Sequence, residues 1–82
     1  MDNSQNAGYR VLVGHNLKKL RTTQGLSLRK LGYMTGIDYA HIHSIETGNA
    51  NPTIGTLIKL ADALDIDLKS LFGSNLLVIY KG

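Results

Sequence analysis

The side chains best suited to chemistry are gathered at residues 39–47, YAHIHSIET, where a tyrosine, two histidines, a serine and a threonine share one short segment. At about 100° per residue on a helix, Ile42, Ile45 and Glu46 point together, Ala40, Ser44 and Thr47 point the opposite way, and His41 and His43 take the flanks. The outward face is small and polar. Such a face can enter the major groove of duplex DNA, which accepts an α-helix and displays donors and acceptors on its base edges. Bulky apolar groups there would instead mark a protein interface.

Other chemistries have less to stand on. His41 and His43 lie two apart and face different ways on a helix, His15 is remote, and the chain has no cysteine, so no metal site is expected. No GxGxxG or phosphate loop is present, and no nucleophile, base and orienting acid fall at a recognised spacing. An enzyme is not expected, and neither is a cofactor or a small-molecule ligand.

The elements that must position residues 39–47 can be traced by periodicity and punctuation. Residues 1–8, MDNSQNAG, show no apolar period and are expected to form a mobile tail. From about Tyr9 to Thr23, Val13, Leu17 and Leu20 recur at spacings of four and three, a first helix closed near Gly25. Ser27 can cap a second helix running to about Thr35, with Leu28, Leu31 and Met34 along one side. Gly36 supplies a tight turn, and Asp38 caps a third helix, roughly Tyr39 to Thr47, ended by Gly48. After the turn NANP, Thr53 can start a fourth helix carrying Ile54, Leu57, Leu60, Ala61 and Leu64 on one face. Asp65 breaks that pattern, and a short fifth helix is expected at about Asp67 to Phe72. The remainder, residues 74–82, contains the apolar, β-branched run Leu76 to Tyr80, which reads either as a strand pairing with a twofold partner's copy or as an extended tail lying on the helices.

Bulk properties agree with one small helical domain at residues 9–73. The chain has 82 residues, 43% of them hydrophobic, and a single proline. No apolar run approaches the roughly 18–20 residues needed to cross a bilayer, and Met1 to Gly8 lacks the features of a signal peptide, so a cytoplasmic address is expected. Net charge is only +3, yet Arg10, Lys18, Lys19, Arg21, Arg29 and Lys30 crowd the N-terminal part of the chain while Asp62, Asp65 and Asp67 gather near the other end. That polarity suits a polyanion on one face, although ordinary solvated charges would look similar.

Residues 14–72 resemble the phage repressor and Cro type of helix-turn-helix domain, the five-helix class often labelled XRE-like. The residues carrying the likeness are Leu17, Leu20 and Arg21, then Gly25-Leu26-Ser27, Leu31, Gly36-Ile37, Ile42, Ile45-Glu46 and Gly48, Pro52, and Leu60-Ala61 with Leu64. The resemblance implies an all-α, five-helix bundle in which the third helix reads bases and the second crosses the phosphate backbone. Carried over by position, Tyr39, Ala40 and Ser44 match base-reading sites, with His43 and His41 next. Ser27, Arg29, Lys30, Thr47, Asn49 and Asn51 match or neighbour phosphate-contacting positions, and Lys18 and Lys19 are further phosphate candidates. Arg21 and Glu46 match a partly buried structural ion pair. Two positions depart from the family: Leu28 stands where a glutamine usually supports the recognition helix, and Gly32 stands where alanine is usual.

The resemblance therefore implies a sequence-specific double-stranded DNA-binding transcriptional regulator, acting as a homodimer on a palindrome. An accessory regulator, such as an antitoxin or a restriction-modification controller, is an alternative within the same chemistry. A protein-interaction module that kept the fold without DNA binding is the alternative from another class.

Overall fold

The computed structural model describes the backbone of residues 3–73, with side chains from residue 8 onward. Four α-helices follow one another: α1 (Asn3–Thr23), α2 (Leu28–Thr35), α3 (Tyr39–Glu46) and α4 (Ile54–Ala63), and a single 3-10 turn, Leu68–Leu71, closes the described chain. Among the described residues there is no strand. The candidate strand at 76–80 lies outside them.

Each short helix starts where a side chain replaces a missing backbone acceptor. Ser27 Oγ accepts from the Lys30 amide at 3.0 Å, Asp38 Oδ1 from the Ala40 amide at 2.9 Å, and Thr53 Oγ1 from the Thr56 amide at 3.1 Å. The helices then bury one stripe each. Val13 and Leu17 from α1, Leu31 from α2, Ile42 and Ile45 from α3, Leu57, Leu60 and Ala61 from α4, and beyond it Leu64 and Leu71 form one continuous core. Burial of each large aliphatic side chain contributes roughly 1.5–3 kcal/mol before entropy is subtracted. α1 packs on α3 and on the 3-10 turn, and α2 packs on α3 and α4, so α3 is held from both sides.

Three expectations need correction. α1 begins at Asn3 rather than Tyr9, taking in most of the segment expected as a tail; once a helix is nucleated, each added residue costs little, and no proline stands in its path. The fifth helix is not an α-helix over Asp67 to Phe72 but one 3-10 turn, Leu68–Leu71. Asp65, at φ +56°, reverses the chain after α4, Asp67 provides no side-chain cap, and Gly73 at φ +81° follows immediately, leaving too few residues for a 13-atom hydrogen-bond ring to repeat. Finally, Met34 and Ile54, expected on inner faces, are 45% and 58% exposed. Ile54 is the first residue of α4, a turn ahead of the core stripe that starts at Leu57, and Ile37 rather than Met34 covers the core at the end of α2.

Candidate nucleic-acid interface

α2 and α3 meet through a turn built by local chemistry. Gly36 adopts φ +73°, a left-handed conformation that costs other residues about 1–2 kcal/mol, and its amide donates to the Gly32 carbonyl at 2.8 Å. Thr35 Oγ1 donates to the Leu31 carbonyl at 2.8 Å and accepts from the Ile37 amide at 3.1 Å. At Gly32 a β-carbon would come within 2.8 Å of the Ile37 carbonyl oxygen, so the missing side chain lets the turn fold tightly against α2.

α3 is anchored along its inner side. Ile42 and Ile45 are fully covered, and Glu46 is buried with them. The helix lies so close to α1 that a β-carbon on Gly14 would be driven into the Ile45 carbonyl oxygen and would stand 2.8 Å from that of Glu46. Arg21 of α1 grips the end of α3. Its Nε donates to Glu46 Oε2 at 2.6 Å and its Nη2 to Oε1 at 3.0 Å, with the two side chains 9% and 2% exposed. Arg21 Nη1 also donates to the Leu26 carbonyl at 2.6 Å, joining the loop before α2 to the same cluster. The hydrogen bond to Glu46, and secondarily its negative charge, raise the Arg21 pKa against the opposing effect of burial.

The outer side of α3 carries Tyr39, Ala40, His41 and His43 in the open, with Thr47 exposed at its end and Ser44 half-buried. Ser44 is covered because the next turn folds back on it: its carbonyl accepts from the amides of Asn49 at 2.9 Å and Ala50 at 3.1 Å. Asn49 Nδ2 donates to Thr47 Oγ1 at 3.1 Å, so these two expected phosphate donors stand together. Arg29 and Tyr39 are also brought into contact. The guanidinium carbon lies 4.5 Å from the ring centroid, and Nη2 donates to the phenol oxygen at 3.2 Å. Ser27 and Lys30 meet through the α2 cap. Lys18 and Lys19 are exposed on α1, and Asn51 lines a hollow with Tyr9, Arg10, Pro52 and Phe72.

Several positioning residues escaped sequence reasoning. Asn16 Nδ2 donates to the Leu71 carbonyl at 2.9 Å and Gln24 Nε2 to the Leu64 carbonyl at 2.6 Å, so both tie down chain reversals after α4. Polar residues in a helical pattern do not announce such partners. Gly14 did carry a signal, because a glycine inside a helical pattern costs about 1 kcal/mol relative to alanine, and close packing is one reason to bear that cost.

Comparison with known proteins agrees with this architecture. The helix-turn-helix family HTH_3 matches residues 17–71. A Sinorhizobium fredii protein named as an uncharacterized HTH-type transcriptional regulator, y4dJ, is 39% identical over 57 residues, covering 70% of this chain and 74% of its own. The Escherichia coli HTH-type transcriptional regulator SutR is 40% identical over 50 residues, covering 61% of this chain but only 28% of SutR. Among solved structures, the restriction-modification controller protein C.AhdI from Aeromonas hydrophila superposes with a TM-score of 0.75 at 38% identity, covering 77% of this chain and 96% of that one. A Vibrio cholerae HTH_3 family transcriptional regulator gives a TM-score of 0.78 at 34% identity, covering 82% of this chain and 38% of that one. The matched span runs from the last third of α1 through the turn between α2 and α3 to the 3-10 turn, and the chain belongs to the HTH_3 helix-turn-helix family.

Proposed function

We propose that the protein is a sequence-specific double-stranded DNA-binding transcriptional regulator of the cytoplasm, acting as a homodimer, with α3 lying in the major groove. The observation that carries this reading is the division of α3 into an inner face locked by Ile42, Ile45 and the Arg21–Glu46 pair and an outer face of small or polar residues, exposed except for the half-buried Ser44. A rigid helix with a narrow polar surface fits a groove that admits one α-helix and is read by hydrogen bonds. Tyr39, Ala40, Ser44, His43 and His41 are the base-reading set. Ser27, Arg29, Lys30, Thr47, Asn49, Asn51, Lys18 and Lys19 are the phosphate-holding set, donors that fix register without reading sequence.

A twofold assembly would set its recognition helices on half-sites about 34 Å apart. The segment 76–80 is our candidate for an intersubunit strand, tested by truncating after Gly73 and measuring mass in solution. The coverage of nearly all of C.AhdI favours, within this function, the role of a restriction-modification controller.

Selection of binding sites from random duplexes, followed by salt titration on the enriched site, tests the main reading. A palindrome with affinity falling steeply in salt is expected, because bound phosphates release counterions. Flat enrichment would point instead to a protein-interaction module.

A further inference from the structure

We propose that Arg29 is a specificity-determining residue that acts through Tyr39: by holding the phenol oxygen as a hydrogen-bond acceptor, it commits the tyrosine hydroxyl to donating toward the DNA. This rests on the reading of α3 as the base-reading helix. It goes beyond that reading because Arg29 is there only a phosphate contact and Tyr39 only a base contact, each acting alone.

Tyr39 is the first residue of α3 and is 41% exposed, so the ring stands at the leading end of the helix. Two torsions place a tyrosine ring. Arg29 constrains it by two contacts of different kinds. Stacking of the guanidinium at 4.5 Å from the centroid restrains the ring plane, and the bond from Nη2 to the hydroxyl at 3.2 Å restrains the direction of the ring axis. The neighbouring Leu28 has no polar atom to do this, and it packs against the core instead.

The hydrogen-bond direction decides the chemistry. A phenol hydroxyl can both donate and accept, while a guanidinium only donates. With its oxygen engaged by Arg29, Tyr39 has its proton left to offer. In the major groove that proton finds an acceptor on guanine (O6 or N7), on adenine (N7) or on thymine (O4), whereas cytosine shows only its N4 donor. The pair therefore selects against cytosine at the base facing residue 39. Arg29 has five N–H donors in total, and one bond to Tyr39 leaves others to meet a phosphate, so the same residue ties backbone register to base choice.

The test is site selection with the wild-type protein, Arg29→Lys, Arg29→Ala and Tyr39→Phe, with affinities measured on the four variants of the base pair whose preference changes in Tyr39→Phe. Lysine keeps the charge for a phosphate but lacks the planar fork. Arg29→Lys is expected to reduce discrimination against cytosine there by about 5- to 10-fold, a change on the scale of one cation–π contact plus one hydrogen bond, while preferences at other positions persist. Adding Arg29→Lys to Tyr39→Phe should change that base pair no further. Without DNA, the Arg29 side-chain proton resonances should carry a ring-current shift that vanishes in Tyr39→Leu. Both residues are exposed, so the variants are expected to fold, and thermal unfolding by circular dichroism checks that they do.

An enriched wild-type motif whose preference is untouched by Arg29→Lys, with only a uniform loss of affinity, overturns this inference and leaves the DNA-binding reading standing. Absence of the ring-current shift overturns it as well. A wild-type protein that enriches no sequence removes the reading on which it rests.

Discussion

Arg21 in the first helix and Glu46 at the end of the third are joined by two charge-assisted hydrogen bonds, 2.6 and 3.0 Å long, in a site almost closed to water. A paired charge at such a site is tolerated, but an unpaired one is not. We expect Arg21→Ala to cost about 3–5 kcal/mol, because Glu46 would be left buried without compensation. Urea denaturation measures this, and the double replacement Arg21→Met with Glu46→Leu should be less destabilising than Arg21→Ala alone. Because the Arg21 pKa is raised in the folded protein, its stabilisation is complete at any pH below the ordinary arginine range and is lost only as the pH climbs through the raised value. Melting temperature followed across neutral pH should therefore show no step from the titration of Arg21.

Gly14 should reverse the usual rule for glycine in a helix. Alanine is favoured over glycine by about 1 kcal/mol in a helix interior. At Gly8, where a β-carbon meets nothing within 4 Å, Gly8→Ala should stabilise by about that amount. At Gly14 the added carbon collides with backbone oxygens of α3, which cannot rotate away, so Gly14→Ala should destabilise by about 1–3 kcal/mol and loosen DNA binding with it. Parallel thermal melts of the two variants decide the point.

The cap at Asp38 holds the start of α3, since its carboxylate accepts the Ala40 amide at 2.9 Å. Asp38→Ala should cost about 1 kcal/mol of stability, whereas Asp38→Asn and Asp38→Ser should lose less, as both retain an acceptor oxygen. Chemical denaturation of the series provides the ranking.

Base and phosphate contacts separate by their response to sequence and salt. Lys19→Ala should weaken binding to all duplexes alike and reduce the slope of log affinity against log salt by about one. Ser44→Ala should leave the slope unchanged and alter the selected bases. Filter or fluorescence titrations over a salt series, on the selected site and on a scrambled one, distinguish the two behaviours.

Much of the helical plan was readable in the chain because local chemistry specifies it. Ser27, Asp38 and Thr53 stand before helices as capping residues, Gly36 interrupts them, and Leu57, Leu60, Ala61 and Leu64 recur at the period of a buried stripe. The same periodicity placed Ile42, Ile45 and Glu46 inside, Ala40, Ser44 and Thr47 outside and His41 and His43 on the flanks, and of these outer and flanking residues all but Ser44 are exposed. The closing helix was misjudged because the conformation of Asp65 and Gly73 leaves room for only a 3-10 turn. Ser44 is more covered than its helical position suggests because a turn several residues later folds over it.

Residue order alone was thus enough for the positions of α2, α3 and α4, their caps and the polarity of α3, all of which depend on neighbours within a turn or so of one another. Contacts between distant segments were settled only by packing: Gly14 beneath the Ile45 carbonyl, Asn16 on Leu71, Gln24 on Leu64, and the stacking of Arg29 on Tyr39. The physical reason is that capping and amphipathic period act along the chain, where spacing is the geometry. A crossing between helices depends instead on how closely two backbones can approach, and no local pattern records that distance.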